Sequence, residues 1–201
     1  MNPTENRQRR ARLGLVGLAA LFFLPLALSF YLYYGTSWRP AGTTQHGDLI
    51  EPARPLPEVA LTLADGTQAG PEFLRGEWHL VYLGGGACVA DCRSALVKMR
   101  QVRLALDKDM DRVGRVFLYT GALTAADYLV HEHPGLAAAG VDGVAGARLL
   151  EAFPYPGTAV TSGKLYVVDP LGNLMMSYPG DAPPKSILTD LERLLKLSHI
   201  G

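Results

Sequence analysis

Between Leu13 and Tyr34 the chain runs for 22 residues without a charge, and this run divides everything else into a before and an after. At about 1.5 Å per residue it spans roughly 33 Å as a helix, enough for a hydrocarbon core of about 30 Å. Pro25 inside it is compatible with a membrane helix, and Tyr31, Tyr33, Tyr34 and Trp38 suit an aromatic belt at the far interface. The first twelve residues carry Arg7, Arg9, Arg10 and Arg12 against Glu5 alone, so the N-terminus is expected in the cytoplasm and the remainder outside. A cleaved signal peptide would have a shorter apolar region ending in small residues. This run ends in Phe-Tyr-Leu-Tyr-Tyr, which favours a retained anchor.

The expected organisation is a cytoplasmic basic tail over 1–12, a transmembrane helix over 13–34, a linker or arm over 35–57 and an exported domain over 58–201. The formal charge of zero conceals an asymmetry: residues 35–201 hold 15 Lys and Arg against 18 Asp and Glu. Nothing basic clusters there, so nucleic-acid binding has no support. The inner membrane is the expected partner surface, with the domain in the periplasm.

Within the exported part, Val59–Leu63, Trp78–Leu83 and Val113–Tyr119 read as strands, the second apolar enough for a central strand covered on both faces. Ala95, Leu96, Met99, Val102 and Leu106 recur at helical spacing, and 144–153 reads as a short helix. Lys164–Val168 and Leu174–Ser177 flank Asp169-Pro170-Leu171-Gly172-Asn173 as a hairpin. A last helix after Pro183-Pro184 buries Ile187, Leu188, Leu191, Leu194 and Leu195. This order predicts an α/β domain with a central mixed sheet flanked by helices.

Cys88 and Cys92 are the only cysteines, in Gly84-Gly85-Gly86-Ala87-Cys88-Val89-Ala90-Asp91-Cys92. They lie between a strand and a helix, in a compartment expected to be oxidising. Within one regular helix, i and i+4 Cβ atoms stand about 5–6 Å apart, whereas a disulfide needs about 3.8 Å. The glycines let the chain turn, placing Cys88 in the turn and Cys92 in the first helical turn. A helix N-terminus lowers a thiol pKa. A disulfide, an exchanging thiol pair and a soft-metal site are all open on these residues. Cys88 is expected to be the more exposed and so the attacking thiol, while the helix end favours Cys92.

The strand, the Cys-x-x-x-Cys turn, the helix and the late Asp-Pro-x-Gly hairpin together resemble the Sco/SenC family over roughly Leu56 to Leu197. The resemblance implies a thioredoxin-like fold on a single N-terminal anchor and a role in assembling the copper centre of cytochrome c oxidase, with an oxidase subunit or other assembly factors as partners. The family has Pro beside its cysteines where this chain has Val89 and Arg93, and a copper-ligand histidine where counting back from Asp169 reaches Thr161. The cis-proline of ordinary thioredoxins falls at Gly163. With that histidine absent, thiol–disulfide work on a partner's copper-binding cysteines is the first expectation. Cu(I) carriage by Cys88 and Cys92 is the second, and a scaffold with a structural disulfide the third.

Copper could gain imidazole ligands from His131 and His133, which share a face if His-Glu-His is extended. Met175 and Met176 read as packing, and His79, interrupting a core strand, as a hydrogen-bonded structural histidine. His46 and His199 have no partner in sequence. No Ser-His-Asp order, phosphate loop or paired-carboxylate motif stands out.

Overall fold

The computed structural model describes residues 3–35, 45–154, 160 and 162–198. The chain divides into two units, Met1–Thr44 and Gln45–Gly201. The first is the helix α1, Pro3–Gly35, with Pro3 opening it and Pro25 inside. Its stretch Arg12–Gly35, 24 residues, is long and apolar enough to cross a membrane, and none of it is buried within the protein.

The second unit is an eight-stranded mixed sheet. Its strands are β1 (Asp48–Pro55), β2 (Leu61–Leu63), β3 (Gln68–Ala69), β4 (Trp78–Gly85), β5 (Val113–Thr120), β6 (Leu136–Gly140), β7 (Leu165–Val168) and β8 (Asn173–Tyr178), in the order β1-β8-β7-β4-β5-β6-β2-β3. Strands β4, β5 and β6 run parallel, and β7 lies antiparallel to β4. The helices are α2 (Ala90–Ala105), α3 (Ala126–Glu132), α4 (Val144–Leu150) and α5 (Pro184–Leu197). This is the expected thioredoxin-like arrangement, a mixed sheet flanked by helices.

Both faces of β4 are covered, which is why its sequence is almost continuously apolar. Trp78, Leu80 and Tyr82 join the core formed with α2 and α5, and Val81 and Leu83 join the core on the other face with Leu56, Leu74, Leu149 and Phe153. Ile187, Leu191 and Leu195 of α5 are buried, while Leu188 and Leu194 pack at the margin. In the β7–β8 hairpin the Asp169 carboxylate accepts from the Leu171 and Asn173 backbone N–H groups at 3.0 and 2.7 Å. Gly172 takes φ +82° and its carbonyl accepts from Leu56 N at 2.8 Å.

Several elements differ from the sequence reading. The stretch taken as a linker contains β1, an edge strand paired with β8 across an irregularity between Leu49 and Arg54. Its outward side is solvated and it contains Pro52 and Pro55, so no apolar alternation marks it. The segment 126–140, to which the sequence reading assigned no element, holds α3 and β6; at seven and five residues they carry little periodic signal. Residues 151–153 fall outside α4.

The arm is fastened by a buried carboxylate. Asp190 of α5 accepts from His46 N at 2.8 Å, Gly47 N at 3.0 Å and the Tyr178 hydroxyl at 3.0 Å, with His46 Nδ1 at 3.1 Å. His46 therefore has the partner that its sequence position concealed. His79 is buried beside Gly114, where any side chain would collide with its ring. Neither ring nitrogen makes a hydrogen bond of good geometry among the described residues, and its nearest acid is Glu77, whose Oε1 lies 4.0 Å from Nδ1.

Burial pulls the His79 pKa from 6.5 to about 4, against a smaller raising effect from the Arg75 backbone. The folded value lies below the unfolded one, so this contribution to stability is complete above about pH 6.5 and is lost as pH falls towards 4. Denaturant unfolding of the full-length protein should show a loss of up to about 3 kcal/mol across that window. His79→Leu should flatten this part of the profile; an unchanged profile would show that His79 is not its source.

Candidate functional site

The cysteine turn stands where β4 leaves the sheet, at the C-terminal ends of the three parallel strands, the usual place for a site in such a sheet. Gly86 N donates to Thr120 O at 2.8 Å, Ala125 N donates to Gly86 O at 3.3 Å, and Cys88 N returns to Gly85 O at 3.0 Å. A Cβ at Gly86 would lie 2.5 Å from the Ala122 carbonyl oxygen, so only glycine lets the turn lie against this neighbouring loop. Cys88 itself takes φ +40°, a left-handed conformation unusual for a residue with a side chain.

Cys92 is the third residue of α2, following Val89, Ala90 and Asp91. Cys88 and Cys92 form a disulfide, with Cα atoms 5.0 Å apart. Their pairing across the helix entry depends on Cys88 remaining outside the helix. No side chain caps α2, so its first N–H groups add positive potential at the sulfurs. Asp91 opposes this: the Tyr82 hydroxyl is pushed above its ordinary pKa by burial first and then by the Asp91 charge.

The expectation that Cys88 would be the more exposed cysteine is corrected. Cys88 is 1% exposed and Cys92 4%. The left-handed turn folds Cys88 back onto the core that also holds Tyr82, Leu96, Ala125 and Leu129. The rim of the turn is exposed instead, with Val89 69% exposed and Ala87, Ala90 and Asp91 open to solvent.

Arg93 and Tyr128 belong to the site and were missed in the sequence. The Arg93 Nε donates to Cys88 O at 3.2 Å, and its guanidinium carbon lies 4.5 Å from the Tyr128 ring centroid. A cation on an aromatic face is held in place, so Arg93 keeps a positive charge at the cysteine turn. Arg93 was visible beside Cys92 only as a departure from the family's Pro, and Tyr128 lay in a segment to which the sequence reading assigned no element.

His131 and His133 do not share a face. His131 lies in α3 and His133 closes it, donating its N–H to Leu129 O at 3.0 Å, and i and i+2 residues of a helical turn point apart. His131 is exposed, with Nδ1 2.8 Å from Asp127 O. His133 is buried, with Nε2 3.0 Å from the Tyr128 hydroxyl. The extended clamp is therefore not formed. Thr161 lies outside the described residues; Gly163, at φ +62°, precedes β7, which pairs Leu165 with Tyr82.

For copper as cargo, the donor set at the turn is two sulfurs, soft ligands that suit Cu(I) once reduced. Among the described residues no group of three or more His, Cys, Asp or Glu side chains is placed to share a metal.

Residues 78–198 match the family described as the transmembrane-like, thioredoxin-like, C-terminal domain. No curated protein matches the chain. Among solved structures, apo Sco1 from Thermus thermophilus superposes with a TM-score of 0.61 at 20% identity, covering 77% of this chain and 99% of that one. ScoI from Bradyrhizobium japonicum with copper bound gives 0.54 at 22%, covering 69% and 98%. BsSco, a member of the Sco family of cytochrome c oxidase assembly proteins in which a disulfide switch was identified, gives 0.52 at 17%, covering 72% and 97%. The resemblance to Sco/SenC proteins thus holds at the level of the fold. With a matched domain over more than half its length, the chain belongs to the transmembrane-like, thioredoxin-like family.

Proposed function

We propose that this is a membrane-anchored thiol–disulfide protein of Sco type, acting in the periplasm on the copper-binding cysteines of a cytochrome c oxidase subunit or of another assembly factor. The observation that carries this reading is the Cys88–Cys92 disulfide at the entry of α2, beneath a rim of exposed small and apolar residues. Residues 1–12 then stay in the cytoplasm, 13–34 span the inner membrane, 35–57 form the arm and 58–201 work outside.

Copper ligands must be reduced, so the reduced pair would act on a partner disulfide. One thiolate attacks a partner sulfur, forming a mixed disulfide and releasing the partner's other sulfur as thiolate. The second cysteine then attacks its neighbour, closing Cys88–Cys92 and releasing the partner as a dithiol. Two electrons pass to the partner, and a dithiol donor outside the cytoplasm restores the pair. Arg93 and the α2 N-terminus favour the thiolate form. Because both sulfurs are enclosed, the Ala87–Ala90 rim has to move for attack. The hydrogen bond from Arg93 Nε to Cys88 O and the left-handed φ of Cys88 support a movement at the turn itself.

Cu(I) carriage is the second reading, favoured by the two convergent sulfurs. A titration separates the two. For exchange, the full-length protein equilibrated in glutathione buffers should give a potential above about −300 mV, and Cys92→Ser or Cys88→Ser should trap a mixed disulfide with a partner in cells. A lower potential with no trapped partner, and one Cu(I) held per reduced chain, would replace exchange by carriage.

A further inference from the structure

Helix α2 carries four basic side chains, and three of them are engaged away from the cysteines. Lys98 Nζ donates to Gly180 O and Ala182 O, both at 2.6 Å, Arg100 donates to Glu132 O, and Arg103 Nε donates to Val113 O at 2.8 Å. The fourth, Arg93, lies against the disulfide turn, with its Nε 3.2 Å from Cys88 O. Covalent geometry keeps a cysteine sulfur within about 4.7 Å of its own carbonyl oxygen. The Arg93 Nε therefore stands no more than about 8 Å from Cys88 Sγ.

An exposed arginine has a long flexible stem and ordinarily spreads its charge over many rotamers. Arg93 is exposed, yet a second element holds it: its guanidinium carbon lies 4.5 Å from the Tyr128 ring centroid, within cation–π range. Tyr128 of α3 is held in turn. Its hydroxyl lies 3.0 Å from His133 Nε2, and the two rings meet edge-on with centroids 5.2 Å apart. Ala125, just before α3, donates its N–H to Gly86 O at 3.3 Å, so the main chain also ties α3 to the cysteine turn.

Two other ionisable groups stand at the turn. Asp91 of α2 sets a negative charge beside the cysteines, and Tyr82 of β4 is kept neutral by burial and by that charge. Substitution of Arg93 or Tyr128 leaves both in place. A unit charge within about 8 Å, even largely screened by solvent, changes the population of a thiolate roughly three-fold or more.

We propose that Tyr128 is a positioning residue for the thiol chemistry: its ring face seats Arg93 over the cysteine turn, so that the guanidinium stabilises the thiolate formed when the reduced pair loses a proton to water. A side chain outside the Cys-x-x-x-Cys segment thereby sets how much nucleophile the pair presents near neutral pH. This rests on the exchange reading in taking the thiolate as the working form.

The test follows alkylation of the reduced full-length protein in detergent by iodoacetamide, in which a thiolate sulfur displaces iodide, across the pH range. Arg93→Met should move the midpoint of the rate upward, so that at about pH 6 alkylation slows at least three-fold while the plateau at high pH is kept. Tyr128→Leu should slow it at least two-fold at that pH, and the double variant no further than Arg93→Met, because the ring acts through the guanidinium. Tyr128→Phe, which keeps the ring face, should stay near wild type. A merely structural role would loosen the turn and raise the rate at every pH without moving the midpoint. An unshifted midpoint in Tyr128→Leu, additive shifts in the double variant, or a Tyr128→Phe shift equal to that of Tyr128→Leu would overturn the proposal. So would an unshifted midpoint in Arg93→Met, whether or not Tyr128→Leu folds. No partner enters this measurement: shifted midpoints with no mixed disulfide trapped in cells would sink exchange and leave the role of Tyr128 standing, and a trapped partner with unshifted midpoints would sink Tyr128 alone.

Discussion

Full-length protein carrying Cys88→Ser together with Cys92→Ser is expected to fold normally and to lose exchange with a partner disulfide entirely. The two halves of that expectation have separate physical sources. The disulfide closes a loop with a sequence separation of 4. On the chain-entropy relation so short a loop contributes only about 2 kcal/mol, and the native side offsets part of that because Cys88 must hold φ +40°. Serine hydroxyls, by contrast, supply no nucleophile at neutral pH and cannot form the mixed disulfide, so the rate falls to that of the uncatalysed reaction. Urea unfolding and a partner-disulfide reduction assay report the two halves. A loss of stability well beyond 2 kcal/mol, with oxidase assembly in cells undisturbed, would instead assign the disulfide to structure and favour the scaffold reading.

Asp190→Ala should be the most destabilising single change near the arm, costing about 4 kcal/mol. Its carboxylate accepts from two backbone N–H groups and the Tyr178 hydroxyl and has His46 Nδ1 at 3.1 Å, and each orphaned buried donor costs about 1–3 kcal/mol. Burial alone would raise the Asp190 pKa, yet the hydrogen bonds from His46, Gly47 and Tyr178 hold it below the ordinary carboxylate value. That contribution is therefore present above about pH 4 and is lost as pH falls below it, beneath the window set by His79. His46→Ala should cost far less, since the His46 side chain is 48% exposed and both backbone N–H groups remain. Denaturant midpoints for the two variants measure this; a loss under 1 kcal/mol in Asp190→Ala would show that the arm is held elsewhere.

Much of the site was legible because its signals are local. The buried strand β4, the glycines before Cys88 and the helical period of α2 lie within thirty residues, and each is a statement about neighbours along the chain. The Asp169–Asn173 turn was legible for the same reason, its carboxylate reaching only as far as Asn173. What failed depended on contacts between distant segments. β1 is a strand because β8 pairs with it and Asp190 fastens its entry, 143 residues away from Gly47. His131 and His133 were placed on one face because 126–132 was not recognised as helical. Cys88 was placed at the surface because its position in a turn says nothing of what the turn lies against.

By itself the sequence determined that an apolar helix precedes an α/β domain, and that two cysteines meet where a strand hands over to a helix. Periodicity, turn residues and helix ends act over a few residues, so a single chain segment carries them. Only the tertiary structure decided that both sulfurs are enclosed and that Arg93, held on Tyr128, keeps its charge at the turn. It alone buried Arg115 of β5 and joined its guanidinium to the Pro134 carbonyl. Burial and electrostatic compensation belong to whatever the fold brings alongside, and for these residues that came from another strand or helix.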